Sequence, residues 1–490
     1  MSWEAIVKHT APPCPAPNLD DYAREQRWFT WSNARHQLSG LPGGCGMNIA
    51  YEAVDRHVAH GHGDRVALRC VRRDDAVATA TYAELAGATA QFANVLRSLD
   101  VGRGERVFTL LGRGIELFTV VLGTLKNTSV LCPLVPTSGP SSVIQRLRIG
   151  DAHVLVTTAE LYRRKVADWR GELSDLKHVL IVGPGAEDLP GTRSFGALMA
   201  AAPAEFTIPP TDPEDMALLH FTSGTTAVPK GVVHVHEAVV AHYVTAAYAL
   251  DLHPGDVFWC TADPGRATGM SYGIIAPLTH GLTVVVDEGD YDARRWYRIL
   301  AEQRVTVWYT APTALRMLMR ATRELPRQYD LSALRLIASG GEPLNPEVVV
   351  WGRDVLGLPV RDSWWQTEAG AIMIANFAGC EIRPGSMGRP LPGVTAAVLE
   401  RGVDGRALVT PEGRARAVEV QEAEGELALR PGWPSMFRGY LHDKARYDEV
   451  FADGWYLTGD VVRRDGDGWY WFVGRADGVI KTPVVGDTST

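Results

Sequence analysis

Met216 to His236 reads MALLHFTSGTTAVPKGVVHVH, and everything else in the chain is placed by how this stretch is read. Its apolar opening, Met216 to Phe221, has the length of a buried strand. Hydroxyl and glycine residues follow without a break: Thr222, Ser223, Gly224, Thr225 and Thr226. Then come Pro229, Lys230, Gly231 and a second apolar run. Small residues let the backbone approach a bound group, and successive amides can point inward as a nest for an anion. The hydroxyls add donors that turn with the ligand, and Lys230 adds a point positive charge. Together these suit a polyphosphate. The stretch is not a GxxxxGK[ST] loop, because glycine follows its lysine. Without Pro229-Lys230-Gly231 it would read equally well as a plain turn between two strands.

Outward from this stretch, helices and short apolar strands alternate. Upstream, VFTLL after Arg106, Ser129–Val135, Val154–Thr157 and His178–Val182 read as strands, and Ile115–Leu125 as a helix. Thr81 with Glu84 three residues on reads as a capping box. From Met47, Ile49, Ala53 and Val54 fall at helical spacing. Downstream, Thr283–Val286, Thr306–Tyr309 and Leu334–Ala338 read as strands. The alternation predicts an α/β fold with largely parallel sheets. Beyond about Glu381, glycine and proline multiply and short alternating runs appear (AAVLE, ELALR, WYLTG, WYWFVG), which predicts a small β-rich subdomain. The expected division is an irregular segment over 1–45, α/β subdomains over 46–210 and 211–380, and the β-rich part over 381–476.

The 490 residues are 46% hydrophobic and 22% charged, with a formal charge of -8, which fits a globular chain with a large core. No basic run stands out, so no nucleic-acid partner is expected. The cysteines at 14, 45, 70, 132, 260 and 380 form no CxxC pair, so neither zinc nor a disulfide framework is indicated. No signal peptide is visible and no run of 18 apolar residues exists, which predicts a cytoplasmic protein without a membrane span.

Further motifs carry chemistry. In DSWWQTEAG, Asp362 to Gly370, Trp364 offers a flat face for a nucleobase, Thr367 a hydroxyl for phosphate and Glu368 a carboxylate for Mg²⁺. Read plainly, the tryptophans are core and the glutamate is solvated. In GWYLTGD, Gly454 to Asp460, the terminal carboxylate can accept both hydroxyls of a ribose, with Arg475 donating from the other side. Read plainly, Asp460 and Arg475 pair with each other. SGGEPLNP, Ser339 to Pro346, can be a simple turn. His234 and His236 alternate on the expected strand, lack a third ligand, and read as structural.

These motifs, in this order and with WYTAPTALRML at 308–318, resemble the adenylate-forming superfamily of acyl-CoA synthetases, peptide-synthetase adenylation domains and luciferases. The resemblance covers roughly residues 45–482, and WCTADPG, GEPLNPE, DSWWQTE and PGSMGRPLPG are most similar to the acetyl-CoA synthetase branch. It implies the large N-terminal part of such an enzyme, with ATP and Mg²⁺ as cofactors and coenzyme A as the family's acceptor. The phosphates would lie against Thr222, Ser223, Gly224, Thr225, Thr226 and Lys230. Gly341, Glu342 and Pro343 would wall the adenine, with Asp362, Trp364, Gln366 and Thr367 beside it and Asp460 and Arg475 on the ribose. Glu368 would hold the metal, and Thr222, Lys230, Thr367 and Glu368 would act in catalysis. The acid pocket would be Arg266, Ala267, Thr268, Gly340 and Trp365.

The chain departs from that pattern in places. Ala227 stands for a loop glycine, and Gly478 for an acidic residue after the hinge position Asp477. Ala267 and Gly340 replace the valines of acetate-specific relatives, which predicts a wider pocket. Arg266 replaces a tryptophan, which predicts an acid with a second anionic group unless the arginine is solvated or paired with Asp263. The family runs on for roughly another hundred residues, whereas residues 477–490 read as a hinge remnant, so thioester formation is expected to be weak. An alternative is a non-CoA acceptor: an amine, a carrier protein or a separate C-terminal domain. Other readings are activation of nitrite to diazotise an arylamine acid, and a non-catalytic ATP-binding partner.

Overall fold

The computed structural model describes residues 3–7, 15–222, 228–402, 405–420 and 422–476. Ser223, Gly224, Thr225, Thr226 and Ala227 of the expected phosphate loop, and Asp477 with the residues after it, lie outside the described residues.

Three sheets organise the described residues. The first runs Gly439–Tyr440, Lys230–Val235, Met216–Thr222, Val130–Pro133, Arg106–Leu110, Val154–Thr158, His178–Val182 and Arg193–Ser194. It is parallel from Met216–Thr222 to its far edge, and the Lys230 and Gly439 strands add to it antiparallel. The second runs Arg389–Pro390, Ile374–Ala375, Val360–Trp364, Leu336–Gly340, Val307–Thr310, Val257–Cys260, Thr283–Asp287, Val66–Val71 and Val77–Thr81. Its interior, from Val360–Trp364 to Val66–Val71, is parallel, as continuous apolar strands flanked by helices require. The third sheet is antiparallel and takes Ala396–Leu399, Ala423–Leu429, Trp455–Arg464, Phe451–Ala452 and Tyr470–Arg475. It is the predicted β-rich part, so the α/β reading with a smaller β-rich part describes the molecule.

The strands and helices expected between Arg106 and Ala338 form within one or two residues of their expected bounds, while the WYLTG strand runs on to Arg464. Thr81 accepts from Glu84 N while the Glu84 carboxylate accepts from Thr81 N, closing the capping box of helix Tyr82–Ser98. Helix Ile115–Lys126 is buried along nearly its whole length, as an all-round apolar helix must be. Even Lys126 is enclosed, its Nζ 2.7 Å from Asp55. Gly123 lets the two helices touch: a Cβ there would lie 2.8 Å from both Phe92 Cβ and Thr89 O. One apolar cluster takes Val107, Leu131 and Val154 from the first sheet, Leu68 and Val284 from the second, and Phe92, Val121 and Leu122 from these helices.

Two expectations change. The first 45 residues are not wholly irregular: Tyr22–Trp28 and Trp31–Arg35 are helices, capped by Asp21 and Thr30. The first buries no residue, so no apolar stripe marks it in the sequence. Sheet boundaries also ignore position 210. Val66–Thr81 supplies two strands to the second sheet, and Met216–Val235 supplies two to the first.

Candidate active site

Thr222 and Lys230 stand opposite each other in the antiparallel register of the hairpin whose connection is the Thr/Ser/Gly run. The Thr222 hydroxyl is buried and has no hydrogen-bond partner among the described residues. Such an orphaned hydroxyl beside a lysine fits a phosphate group. Lys230 Nζ lies 3.9 Å from Glu368 Oε1 and 3.3 Å from the Tyr440 hydroxyl, over whose ring it sits at 4.7 Å. Tyr440 Oη donates to Glu368 Oε1 at 2.9 Å. Burial, then the Glu368 charge, pushes the Tyr440 phenol up, so it stays a donor. One carboxylate with its second oxygen not used by Tyr440 suits Mg²⁺, which takes one or two carboxylates and fills its shell with phosphate oxygens and water.

Tyr440 was not foreseen. It arrives on the two-residue strand Gly439–Tyr440, which pairs with Lys230–Val235, while Phe437 N donates to Glu368 O at 3.0 Å. A two-residue strand carries no periodicity, so only the pairing reveals it.

A second group converges on Asp460. Its Oδ2 accepts from Trp364 Nε1 at 2.9 Å and Gln366 Nε2 at 2.8 Å, and its Oδ1 from Arg475 Nη1 at 2.8 Å. Tyr456 Oη donates to Gln366 Oε1 at 2.9 Å and fixes that amide. A carboxylate has about four acceptor sites, so three donors leave roughly one. The nucleotide-face reading of Trp364, Gln366, Asp460 and Arg475 thus gathers four residues into one cluster, and the plain Asp460–Arg475 pairing is present as well.

Around the expected acid pocket, Gly341 and Thr268 are neighbours: a Cβ on Gly341 would lie 3.6 Å from Thr268 Oγ1. Ala267 and Trp365 belong to one apolar cluster with Tyr272 and Tyr309. Gly340 does not simply widen this pocket. A Cβ there would lie 2.4 Å from Tyr309 Oη and 2.6 Å from Ser363 Oγ, so two hydroxyls occupy the space the glycine opens. The filling residues sit on the flanking strands, which is why the motif alone did not show them. Arg266 is exposed rather than half-buried and makes no ion pair with Asp263 among the described residues. Burial and then the Arg266 charge lower the pKa of Arg146.

Some expected residues point elsewhere. Asp362 is buried, accepts from Ser363 N at 3.0 Å, and has its pKa pushed well up by burial; among the described residues its carboxylate makes no hydrogen bond to the Asp460 group. Glu342 turns its carboxylate to Thr313 and Arg316 on helix Pro312–Met319. Ser223, Gly224, Thr225 and Thr226 lie outside the described residues. His234 and His236 are buried, with Nδ1 of each against a backbone group, Ser435 O and Ile49 N, both at 3.1 Å. Among the described residues no group of three His, Cys, Asp or Glu is placed to hold a metal, and no helix is long and apolar enough to cross a membrane.

Known proteins resemble this chain along most of its length. Residues 55–441 match the family of AMP-binding enzymes. An acetyl-coenzyme A synthetase of Bacillus subtilis is 40% identical over 469 residues, covering 95% of this chain and 78% of that protein. One from Methanothrix thermoacetophila is 36% identical, covering 90% of this chain and 69% of that protein. The crystal structure of a Brucella canis acyl-CoA synthetase superposes with a TM-score of 0.83 at 32% identity, over 94% of this chain and 81% of the other. The chain therefore belongs to the AMP-binding enzyme family, as an adenylate-forming ligase of the acetyl-CoA synthetase kind.

Proposed function

We propose that this enzyme joins a small carboxylic acid to AMP with release of pyrophosphate, and that Lys230, Glu368 and Asp460 mark the two ends of its nucleotide site. The observation that carries this is the meeting of Lys230, Glu368 and Tyr440 at the mouth of the Thr222–Lys230 hairpin, from stretches 72 and 210 residues apart. Thr222 and Lys230 hold phosphate oxygens, with the missing hydroxyl partner supplied by the ligand. Mg²⁺ at Glu368 supplies charge neutralisation at the phosphates. Asp460 holds the ribose, accepting one hydroxyl at its open site and a second when Arg475 turns outward. Gly341, Glu342 and Pro343 offer backbone to the adenine, and Thr367 reaches the phosphate from the turn before Glu368. The acid enters beside Ala267, Thr268, Gly340 and Trp365, and its oxyanion attacks the α-phosphorus. The protein contributes alignment and electrostatic stabilisation rather than a covalent intermediate.

The acceptor follows the relatives' names, coenzyme A, with an arylamine or a carrier thiol as the competing class. The test is ATP–pyrophosphate exchange with a panel of short acids and nitrite, with and without coenzyme A or arylamines. Exchange that depends on an organic acid is the expected result. Exchange with nitrite alone would replace the acid reading by oxyanion activation.

A further inference from the structure

We propose that the cleft lined by Arg389 and Arg464 binds a small oxyanion, the carboxylate or phosphate of a metabolite other than the nucleotide and the acid of the active site.

The cleft, of about 430 Å³, opens where three parts of the chain meet. Helix Tyr22–Trp28 brings Tyr22, the edge strand Arg389–Pro390 of the second sheet brings Arg389, and the β-rich sheet brings Arg464 and Tyr470. The Tyr22 hydroxyl donates to Pro390 O at 2.8 Å, which ties the helix to the edge strand. Tyr470 N donates to Gly388 O at 2.9 Å, which ties the β-rich sheet to the same strand. Arg389 is thus anchored from both sides by backbone hydrogen bonds.

The Arg389 side chain is held by rings. Its guanidinium carbon lies 5.1 Å from the centre of the Tyr22 ring and 4.8 Å from that of Trp469. Such contacts engage the charge and use no N–H donor. Among the described residues Arg389 makes no ion pair and no side-chain hydrogen bond. Its Nε is buried without a partner, while Nη1 and Nη2 reach the surface at the end of the fork. Two parallel N–H groups in a fixed plane match the edge of a carboxylate or phosphate. Arg464 gives one nitrogen, Nη2, to the carbonyls of Val418 and Val420 at 3.2 Å each, and has no carboxylate partner among the described residues.

The carboxylates of the cleft leave this charge uncancelled. Asp465 and Asp467 are held by Arg383, at 2.6 and 2.8 Å. Glu419 is exposed and makes no ion pair among the described residues. Two uncommitted guanidinium groups therefore stand against one uncommitted carboxylate, and a concave surface with that surplus concentrates anions. The cleft is separate from the nucleotide site. Arg464 pairs with Tyr470, and Asp460 with Arg475, along the same two strands. Four residues of extended strand set Arg464 roughly 13 Å from Asp460, too far for one small anion to touch both.

The experiment titrates the full chain by calorimetry with succinate and, separately, with inorganic phosphate, each with and without saturating ATP. Saturable binding of at least one probe is expected, undisturbed by ATP, and the probe that binds tells carboxylate from phosphate. Arg389→Gln is expected to weaken it on the order of tenfold or more, as for a charged hydrogen bond. Arg389→Lys is not expected to restore it, because an ammonium lacks the planar fork. Glu419→Gln is expected to tighten binding by about two- to fivefold. That substitution is on an exposed side chain, so the gain is readable even if the Arg389 variants fold poorly. Binding of neither probe overturns the proposal. So does binding that ATP displaces, or that Arg389→Gln leaves at wild-type strength. A chain that binds a probe in this way but no ATP overturns the nucleotide-site reading alone.

Discussion

At the scale of single residues, the two ends of the nucleotide site should respond differently to mutation. Asp460→Ala removes the acceptor of three donors and should weaken ATP binding by about 1.5–3 kcal/mol, as for a charged hydrogen bond. Isothermal calorimetry reads this directly. Tyr440→Phe removes a donor from Glu368 and an acceptor from Lys230, and nothing from the Asp460 group. It should raise the Mg²⁺ concentration for half-maximal exchange by roughly 10- to 100-fold, the equivalent of a hydrogen bond to a charged group. A Mg²⁺ titration indistinguishable from wild type would remove Tyr440 from the metal end. Arg266 calls for a smaller figure than its sequence context implied. An exposed guanidinium contributes about 0.2–1 kcal/mol to an ion pair. Arg266→Ala should therefore raise the KM of an acid with a second anionic group by no more than about fivefold, with the KM for ATP unmoved. Steady-state kinetics with matched mono- and dianionic acids decide it.

At the scale of elements, the turn Gln366–Gly370 is the part the rest is fitted to. Ala369 O accepts from Trp433 Nε1 at 2.7 Å and Ser435 Oγ at 2.8 Å, and Gly370 O lies 2.9 Å from His242 Nε2. Gly370 has φ +72, and a Cβ on it would lie 2.1 Å from Ser435 O. Gly370→Ala should cost about 1–3 kcal/mol or more, through strain at positive φ and overpacking. It should also depress exchange activity, because the turn carries Glu368. A urea midpoint equal to wild type would contradict the clamp. This turn also marks the limit of what could be read from the chain. DSWWQTEAG, the Thr81–Glu84 box and helix Ile115–Lys126 were legible because their signals are local: contiguous residues, a three-residue spacing, an apolar run. Their clamps were not. Tyr440, Trp433, Ser435 and His242 reach the turn through long-range packing and carry no motif of their own. The glycine at 340 was visible, but the tyrosine that fills its space sits on the neighbouring strand, 31 residues earlier in the chain.

At the scale of the molecule, buried histidines tie stability to pH. Burial holds His234 at about 4 and His236 and His242 at about 3, and pushes His220 well down. In the unfolded chain a histidine takes up its proton near 6.5. Between about 6.5 and 4 the unfolded state therefore binds more protons than the folded one, and stability falls as pH falls. Each such histidine contributes about 1.4 kcal/mol per pH unit over that window. Urea midpoints at pH 7 and pH 5 should show the loss, and His242→Gln should make it shallower. A flat profile would mean that these rings titrate alike in both states.

The interleaving of the first two sheets has a further consequence, for synthesis. Thr283 Oγ1 donates to Val66 O across 217 residues, in the pairing that holds Val66–Val71 beside Thr283–Asp287. A ribosome adds about 5–20 residues per second, so this apolar strand leaves the exit tunnel on the order of 10–40 s before its parallel partner exists. During that interval only the Val77–Thr81 hairpin arm covers one of its edges. The other is a free template for any passing strand. Nascent chains stalled before Thr283 should therefore be captured by chaperones, and those stalled well beyond Asp287 released.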